Sequence, residues 1–486
     1  MMMGWKGKRV VVIGAARQGV ALSRFLVSQG AQVVLNDQRK AEELSNATQS
    51  LSDIPPEKIR WIFGGHPFEV LDGADLVCLS GGISISMPLV VEARGRGIPL
   101  SNDSQIFLEV APCRVIGITG SAGKTTTTTL VGRMAQAAIE QENVVKNNPS
   151  GRISDNSASF YPSKVWVGGN IGSPLITNVD KMSLNDLAVM ELSSFQLEIM
   201  DRSPQVAAIL NITPNHLDRH PTMEAYTTAK ARILDYQTPD DVSILGRDDR
   251  GAWDLAEKVK GRLYSFGMLP PDSSQNGTYC RDGSLYLKVG DKEYFLMDRF
   301  LILLRGEHNL LNVLAASAVC AAADLPIAAM RAGVEGFRGV PHRLELVRTW
   351  KGVSWYNDSI ATAPERSIAA IRSFEEPLVL LAGGRDKNLP WGDFATLVRK
   401  RIDHLVLFGE AAYKIEQAVE AVNVEENDRP FTLTRCKGLQ QAVMEARRVA
   451  EPGDVVLLSP GGTSFDEFRD FEERGEAFRQ WVMDLV

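Results

Sequence analysis

Cysteine is scarce in this 486-residue chain, and its five copies, Cys78, Cys113, Cys280, Cys320 and Cys436, never fall at CxxC spacing. That scatter suggests neither a zinc site nor a disulfide framework, and it fits a reducing compartment. Positive charge is also in deficit: 53 Lys and Arg stand against 60 Asp and Glu, a net charge of -7. Nucleic-acid binding draws on clustered cations, so no nucleic-acid partner is expected, while a local basic site for a small anion remains compatible. Low-complexity linkers and internal repeats are missing. The most apolar long stretch, Asn312 to Val334, is interrupted by Asp324, Pro326 and Arg331. It reads as one buried helix and then another, and no membrane insertion is expected. The opening MMMGWKGKRVVVIGAA runs from a short basic lead straight into a strand, without a signal peptide's longer apolar stretch and cleavage site. A cytoplasmic protein is the expectation.

What is present is an α/β pattern. With 44% hydrophobic and 23% charged residues the composition is globular, and the length suggests about three domains. Short β-branched runs repeatedly end in glycine-rich turns followed by helical patterns, as in KRVVVIGAARQG, CRVIGITGSAGKTTTTTLV and PLVLLAGGRDKN. These are βα units of parallel sheets, and DLVCLSGG, DLAVMELSS, VAAILNIT, DHLVLFGE and DVVLLSPGG extend the series. Each puts its polar or glycine residues after the strand, where open α/β sheets bind ligands. Alternating runs between Leu263 and Phe300 predict a small antiparallel excursion. Junctions are suggested near residues 102–113 and 337–342.

The clearest chemical signal is TGSAGKT, Thr119 to Thr125, between the strand RVIGI and the helical TTTTTLVGRMAQAA. A strict P-loop would need Gly at 118, where Ile118 stands. The physics survives: Gly120, Ser121, Ala122 and Gly123 can turn backbone N–H groups toward phosphates, Lys124 neutralises charge, Thr125 can ligate Mg²⁺, and Thr126 follows at the helix start. A second turn, Gly14 to Gly19, departs from G-x-G-x-x-G at its middle glycine. With Asp37 at the end of the next strand it reads as a packing turn or a nucleotide-diphosphate site, with only weak support for a nicotinamide cofactor. Glu191 ends the run DLAVM beside the phosphate loop, where a carboxylate can hold Mg²⁺. His216 and Asn215 follow another strand in the same way. Spacing alone makes Lys230 a surface lysine on a helix.

Taken together, TGSAGKT, GGNIGSP, ELSSFQLE, LNITPNHLDRH and GEHNLLN resemble the Mur ligases of peptidoglycan synthesis over nearly the whole chain. ELSSFQLE and LSPGGTSFDEFRDFEERGEAF look like the glutamate-adding member. The resemblance implies a Rossmann-like UDP-sugar domain at 1–102, a central P-loop-type ATPase sheet at 103–339, and a Rossmann-like amino-acid domain at 340–486. It implies the use of ATP, two Mg²⁺ ions, and UDP-N-acetylmuramoyl-L-alanine and glutamate as substrates; separately, a monomer is the expectation. Lys124, Glu191, His216 and Lys230 are then the catalytic set, with Lys230 carrying a CO₂-derived carbamate as a metal ligand beside Thr125 and Glu191. ATP would further meet Asn309, Asn312, Arg343 and Asp358. The UDP sugar would meet Gly14, Ala15, Ala16, Asp37, Gln38, Arg39, Gly82, Asn170 and His216, and glutamate Thr362, Lys387, Ser464 and Phe471. One departure stands out: after Asp358-Ser359 the family usually has a lysine, and here it is Ile360. A positive charge is therefore missing there or supplied elsewhere.

The expected chemistry is ATP-driven ligation. A carboxylate cannot acylate an amine at neutral pH, because its leaving group would be oxide; conversion to an acyl phosphate provides a better one. The rivals are a ligase using L-glutamate, a folylpolyglutamate synthetase-like ligase, a non-catalytic nucleotide-binding regulator, and a nicotinamide oxidoreductase resting on Gly14 to Gly19 alone.

Overall fold

The computed structural model describes residues 4–147, 159–214, 219–387, 389–422 and 429–486. Its strands form three sheets. The first holds β1 (Arg9–Ile13), β2 (Gln32–Asp37), β3 (Ile59–Phe63), β4 (Leu76–Leu79) and β5 (Leu100–Ser101), all parallel, in the order β3-β2-β1-β4-β5. Its central strands are apolar on both faces, as helices covering a parallel sheet require: Val10, Val11, Val12 and Ile13 are all fully buried.

The second sheet is built from β6 (Arg114–Thr119), β7 (Val165–Gly169), β8 (Leu187–Glu191), β9 (Val206–Ile209), β10 (Val242–Gly246), β11 (Arg262–Phe266), β12 (Asn276–Arg281), β13 (Ser284–Val289) and β14 (Lys292–Asp298). Their order is β14-β13-β12-β11-β10-β9-β6-β8-β7. The pairs β12–β13 and β13–β14 are antiparallel, which is the excursion that the alternating runs predict. The rest is parallel.

These two sheets belong to one compact unit, residues 1–302 with 307–336. An apolar cluster runs from Val12, Leu22 and Leu26 through Phe107, Leu175 and Val179 to Met190 and Ile209. A buried polar seam crosses it. Asn102 caps the helix Asp103–Val110 and donates from Nδ2 to the Gln196 carbonyl at 2.8 Å, while Gln196 Nε2 donates to Ser104 Oγ at 2.7 Å. Burial pushes the Asp103 carboxyl at this seam up to about 7.

The second unit is residues 303–306 with 337–486. Its sheet comprises β15 (Glu345–Trp350), β16 (Val353–Asn357), β17 (Leu378–Gly383), β18 (His404–Phe408), β19 (Thr432–Arg435) and β20 (Val455–Gly461), ordered β15-β16-β20-β17-β18-β19, with only the β15–β16 pair antiparallel. Alternate residues feed the two faces. Leu380, Leu405 and Leu457 pack on Phe394 and Val398, and Val379, Val406 and Val456 pack on Leu439 and Phe478. Among the described residues no helix is long and apolar enough to cross a membrane.

Candidate active site

β6 delivers its loop between the neighbours β8 and β9, so the carboxyl ends of three adjacent strands converge. The loop is fixed before any ligand arrives. Ser121 N–H donates to the Asn211 carbonyl at 3.0 Å, and Ala122 N–H to Asn211 Oδ1 at 2.8 Å. Two of the N–H groups expected to face phosphates are therefore committed to holding the loop. The remaining donors come from the start of the helix Lys124–Asn147, whose first N–H groups have no partner within the helix. Gly123 is required here: its φ is +82°, and a Cβ would meet Asn312 Oδ1 at 2.2 Å. Ser121 Oγ also donates to the Thr213 carbonyl at 2.9 Å and accepts from the Tyr226 hydroxyl at 3.2 Å. Asn211 and Tyr226 were not anticipated, because only the fold reveals that they brace the loop.

Lys230 departs most from its spacing-based reading. It lies on the helix Met223–Asp235 but is 1% exposed, with Nζ donating to the Gly120 carbonyl at 2.9 Å. Lys124 Nζ donates to the same carbonyl, also at 2.9 Å. One carbonyl dipole cannot neutralise two ammonium groups. Burial and the Lys124 charge lower the Lys230 amine to about 6, against the opposing pull of Glu191. Glu191 is 2% exposed; Oε1 accepts from Asn170 Nδ2 at 2.9 Å, and Oε2 has no partner among the described residues. A buried carboxylate oxygen kept open beside a phosphate loop suits a divalent cation. Thr125 is half-buried in the first turn of the helix, and Thr126 is buried behind it. His216 and Asn215 lie outside the described residues.

A cavity of about 290 Å³ opens beside the loop, lined by Ala122, Gly123, Asn211, Asp248, Phe266, His308 and Asn312 among others. Asn309 and Asn312 are joined at its edge by an Nδ2-to-Oδ1 bond of 3.0 Å. Asp248 after β10, Phe266 at the end of β11 and His308 in the helix Glu307–Ala322 were not singled out, since these separate elements meet only in the fold.

At the edge of the first sheet, Gly14 turns at φ +97°, and a Cβ on Gly19 would meet the Gly14 carbonyl at 1.9 Å. The glycines that are present serve this close packing, and the absent middle glycine is the exposed Ala16. Asp37 accepts from the Ala15 N–H at 2.8 Å and from Arg39 Nε and Nη2 at 3.0 and 2.8 Å. Burial would raise its carboxyl, but Arg39 and the backbone donors win and hold it at about 2. Gln38 is exposed, and the Gly82 carbonyl accepts from Arg219. A cavity of about 520 Å³ is lined by Ala15, Ala16, Arg17, Arg39, Ser173 and Thr177 among others.

The second unit gathers its own set. Asp358 follows β16 and accepts from Ser459 Oγ at 2.9 Å and the Leu344 N–H at 3.2 Å. Burial outweighs these bonds and the charges of Arg343 and Arg366, raising the carboxyl to about 7. Buried Arg474 was missed in the sequence, and it organises the surroundings: Nε and Nη2 donate to Ser359 Oγ and O at 3.0 and 2.8 Å, and Nη1 to the Gly462 carbonyl at 3.1 Å. Ser359 Oγ in turn donates to the Phe471 carbonyl at 2.8 Å. Thr362 is half-buried, Ser464 buried and Lys387 exposed.

Known proteins carry the same succession of domains along the chain. Three family descriptions match in succession: Mur ligase MurD-like, N-terminal domain (residues 8–102), Mur ligase middle domain (118–320), and Mur ligase, glutamate ligase domain (342–462). The UDP-N-acetylmuramoylalanine–D-glutamate ligase of Symbiobacterium thermophilum is 38% identical over 98% of this chain and 98% of its own. The crystal structure of MurF from Acinetobacter baumannii shares the fold at a TM-score of 0.54 and 18% identity, covering 98% of this chain and 92% of that one. The MurF ligase of Thermotoga maritima, solved in complex with ADP, does so at 0.51 and 17%, covering 98% and 95%. With its phosphate loop, buried lysine and open carboxylate in place, and with full-length relatives of this kind, the chain belongs to the Mur ligase family.

Proposed function

We propose that this protein joins D-glutamate to UDP-N-acetylmuramoyl-L-alanine, using ATP to convert the alanyl carboxylate into an acyl phosphate. The observation that carries the reading is the convergence of Lys124 and Lys230 on the Gly120 carbonyl beside the open Glu191 oxygen. Lys124 supplies the cation, Lys230 an amine lowered toward neutrality, and Glu191 an anionic metal post, the pairing that phosphoryl transfer requires. The 38% identical Symbiobacterium relative, a UDP-N-acetylmuramoylalanine–D-glutamate ligase, supports the choice of substrates.

In this reading the alanyl carboxylate attacks the γ-phosphorus of ATP, the bond to the β-γ bridging oxygen breaks, and ADP leaves. The glutamate amine then attacks the acyl carbon, expelling phosphate and losing a proton as the amide forms. Lys124 stabilises the charge on the transferred phosphoryl group, with His216 as a further catalytic residue. Asn309, Asn312, Arg343 and Asp358 hold the nucleotide. Gly14, Ala15, Ala16, Asp37, Gln38, Arg39, Gly82, Asn170 and His216 take the UDP sugar. Thr362, Lys387, Ser464 and Phe471 take glutamate. Mg²⁺ ions, two in this reading, would be held by Thr125, Glu191 and a carbamate on Lys230, and when bound they neutralise charge on the phosphates. The low pKa of Lys230 supports carbamylation, because a neutral amine is the form that attacks CO₂, gaining an N–C bond and losing a proton. Domains at 1–102, 103–339 and 340–486 would bring the UDP sugar, ATP and amino acid respectively.

Phosphate release from ATP with UDP-N-acetylmuramoyl-L-alanine, run separately with D-glutamate, L-glutamate and a folate acceptor, tests the reading. Release that depends on D-glutamate supports it; release indifferent to every acceptor would sink it. Lys124→Ala should abolish turnover, and a fully active variant would remove the role given to the loop.

A further inference from the structure

Ile360 leaves the segment after Asp358 without the expected cation, yet a cation lies over that same residue. Arg366 sits in the first turn of the helix Pro364–Ile371, started by a proline at its first position. Its side chain folds back along the loop, and Nη1 donates to the Ile360 carbonyl at 3.3 Å. Its charge also reaches the buried Asp358, acting with Arg343 in favour of the ionised form. Two positions in this loop thus feel one guanidinium.

The remaining donors of Arg366 are not consumed by an acid. Arg385 in the same unit pairs with Glu410, whereas no carboxylate among the described residues forms an ion pair with Arg366, which is exposed. A neutral carbonyl leaves the positive charge standing and occupies one of five N–H donors, so a planar fork remains for an oxyanion. The loop beneath is held by Arg474 through both Ser359 oxygens, and Ser459 bonds both Asp358 and Ser367 of the Arg366 helix. The guanidinium is therefore mounted on a braced loop that also carries Thr362.

We propose that Arg366 supplies the positive charge of the acceptor site, its guanidinium holding an oxyanion of the reacting groups. That oxyanion is either a carboxylate of glutamate or the phosphoryl oxygens of the acyl phosphate. The inference rests on the ligase reading above.

The test is steady-state phosphate release by the full chain with Arg366→Gln, Arg366→Ala and the double variant Arg366→Ala with Ile360→Lys. Glutamine can still donate to the Ile360 carbonyl but carries no charge, so it separates electrostatics from loop support. If Arg366 holds the glutamate carboxylate, the glutamate KM rises about tenfold or more in Arg366→Gln while the ATP KM stays unchanged. If it holds phosphoryl oxygens, kcat falls by a similar factor with the glutamate KM unchanged. Either result supports the proposal, as does recovery of activity in the double variant, where a lysine restores charge from position 360. Wild-type kinetics in Arg366→Gln would overturn it, as would losses that track a lowered melting temperature and are not rescued by Ile360→Lys. Arg372→Ala, on the same segment, serves as the unaffected control. A wild-type protein with no glutamate-dependent release would instead refute the ligase reading itself.

Discussion

Asp37 closes β2 of the first sheet and Asp358 follows β16 of the third, so each stands at the carboxyl edge of a parallel sheet, where a nucleotide is expected. Their settings differ. Asp37 has a guanidinium gripping both oxygens and two backbone donors, and it stays ionised down to about 2. Asp358 has one hydroxyl, one N–H and arginines acting from farther away; burial prevails, and its carboxyl sits near 7. The deeper burial of Asp358 and the more numerous, closer donors of Asp37 together set the two apart. Asp37 is thus already engaged, presenting Arg39 and the Ala15 turn in a fixed pose, whereas Asp358 still has its charge to settle when a ligand arrives.

The sharpest way to break this contrast is Asp37→Ala, which releases Arg39 and orphans the Ala15 N–H. The KM for the UDP substrate should rise roughly 100-fold, on the order of 3 kcal/mol, in initial-rate assays. A change of less than about threefold would mean that Asp37 only supports the fold. Asp358→Asn should be milder, because the asparagine resembles the protonated acid that already makes up much of the population at pH 7. Its ATP KM should rise by less than about tenfold, and more at pH 8 than at pH 6. An equal effect at both would show that the native group is fully ionised.

Stability should separate the two acids in sign. Asp37 has a lowered pKa, so its contribution is present above about 4 and lost as pH falls toward 2; discounted for the half-exposed Arg39, it is about 1 kcal/mol. Asp358 has a raised pKa, so the native state holds its proton longer than the unfolded chain and stability declines as pH rises from about 4 to 7. Relative to wild type, Asp358→Asn should therefore fare better in thermal melts at pH 8 than at pH 5. Parallel curves would refute the assignment. The smallest effect is expected from Asp103→Asn at the seam, with the same pH trend and glutamate and ATP KM values within about twofold of wild type.

Much of this was legible where chemistry and chain order coincide. The α/β layout, the hairpins after β12, the phosphate loop and Glu191 at a strand end all follow from local runs. Lys230 was illegible because burial of a helix face depends on the sheet beneath it; only the family resemblance singled it out. Arg474 and Gln196 were missed for a related reason. Their partners, Ser359 and Ser104, lie 115 and 92 residues away in sequence, so no window contains both. Arg366 shows the intermediate case: the gap at Ile360 was visible, but the side chain that fills it lies six residues further on and folds back.

The Asn211 brace beneath the phosphate loop has a thermodynamic side. A loop whose backbone is already paired at Ser121 and Ala122 has little conformational entropy left to lose when a nucleotide docks. More of the energy of phosphate contact is then free to appear as affinity, or to be held back for the transition state.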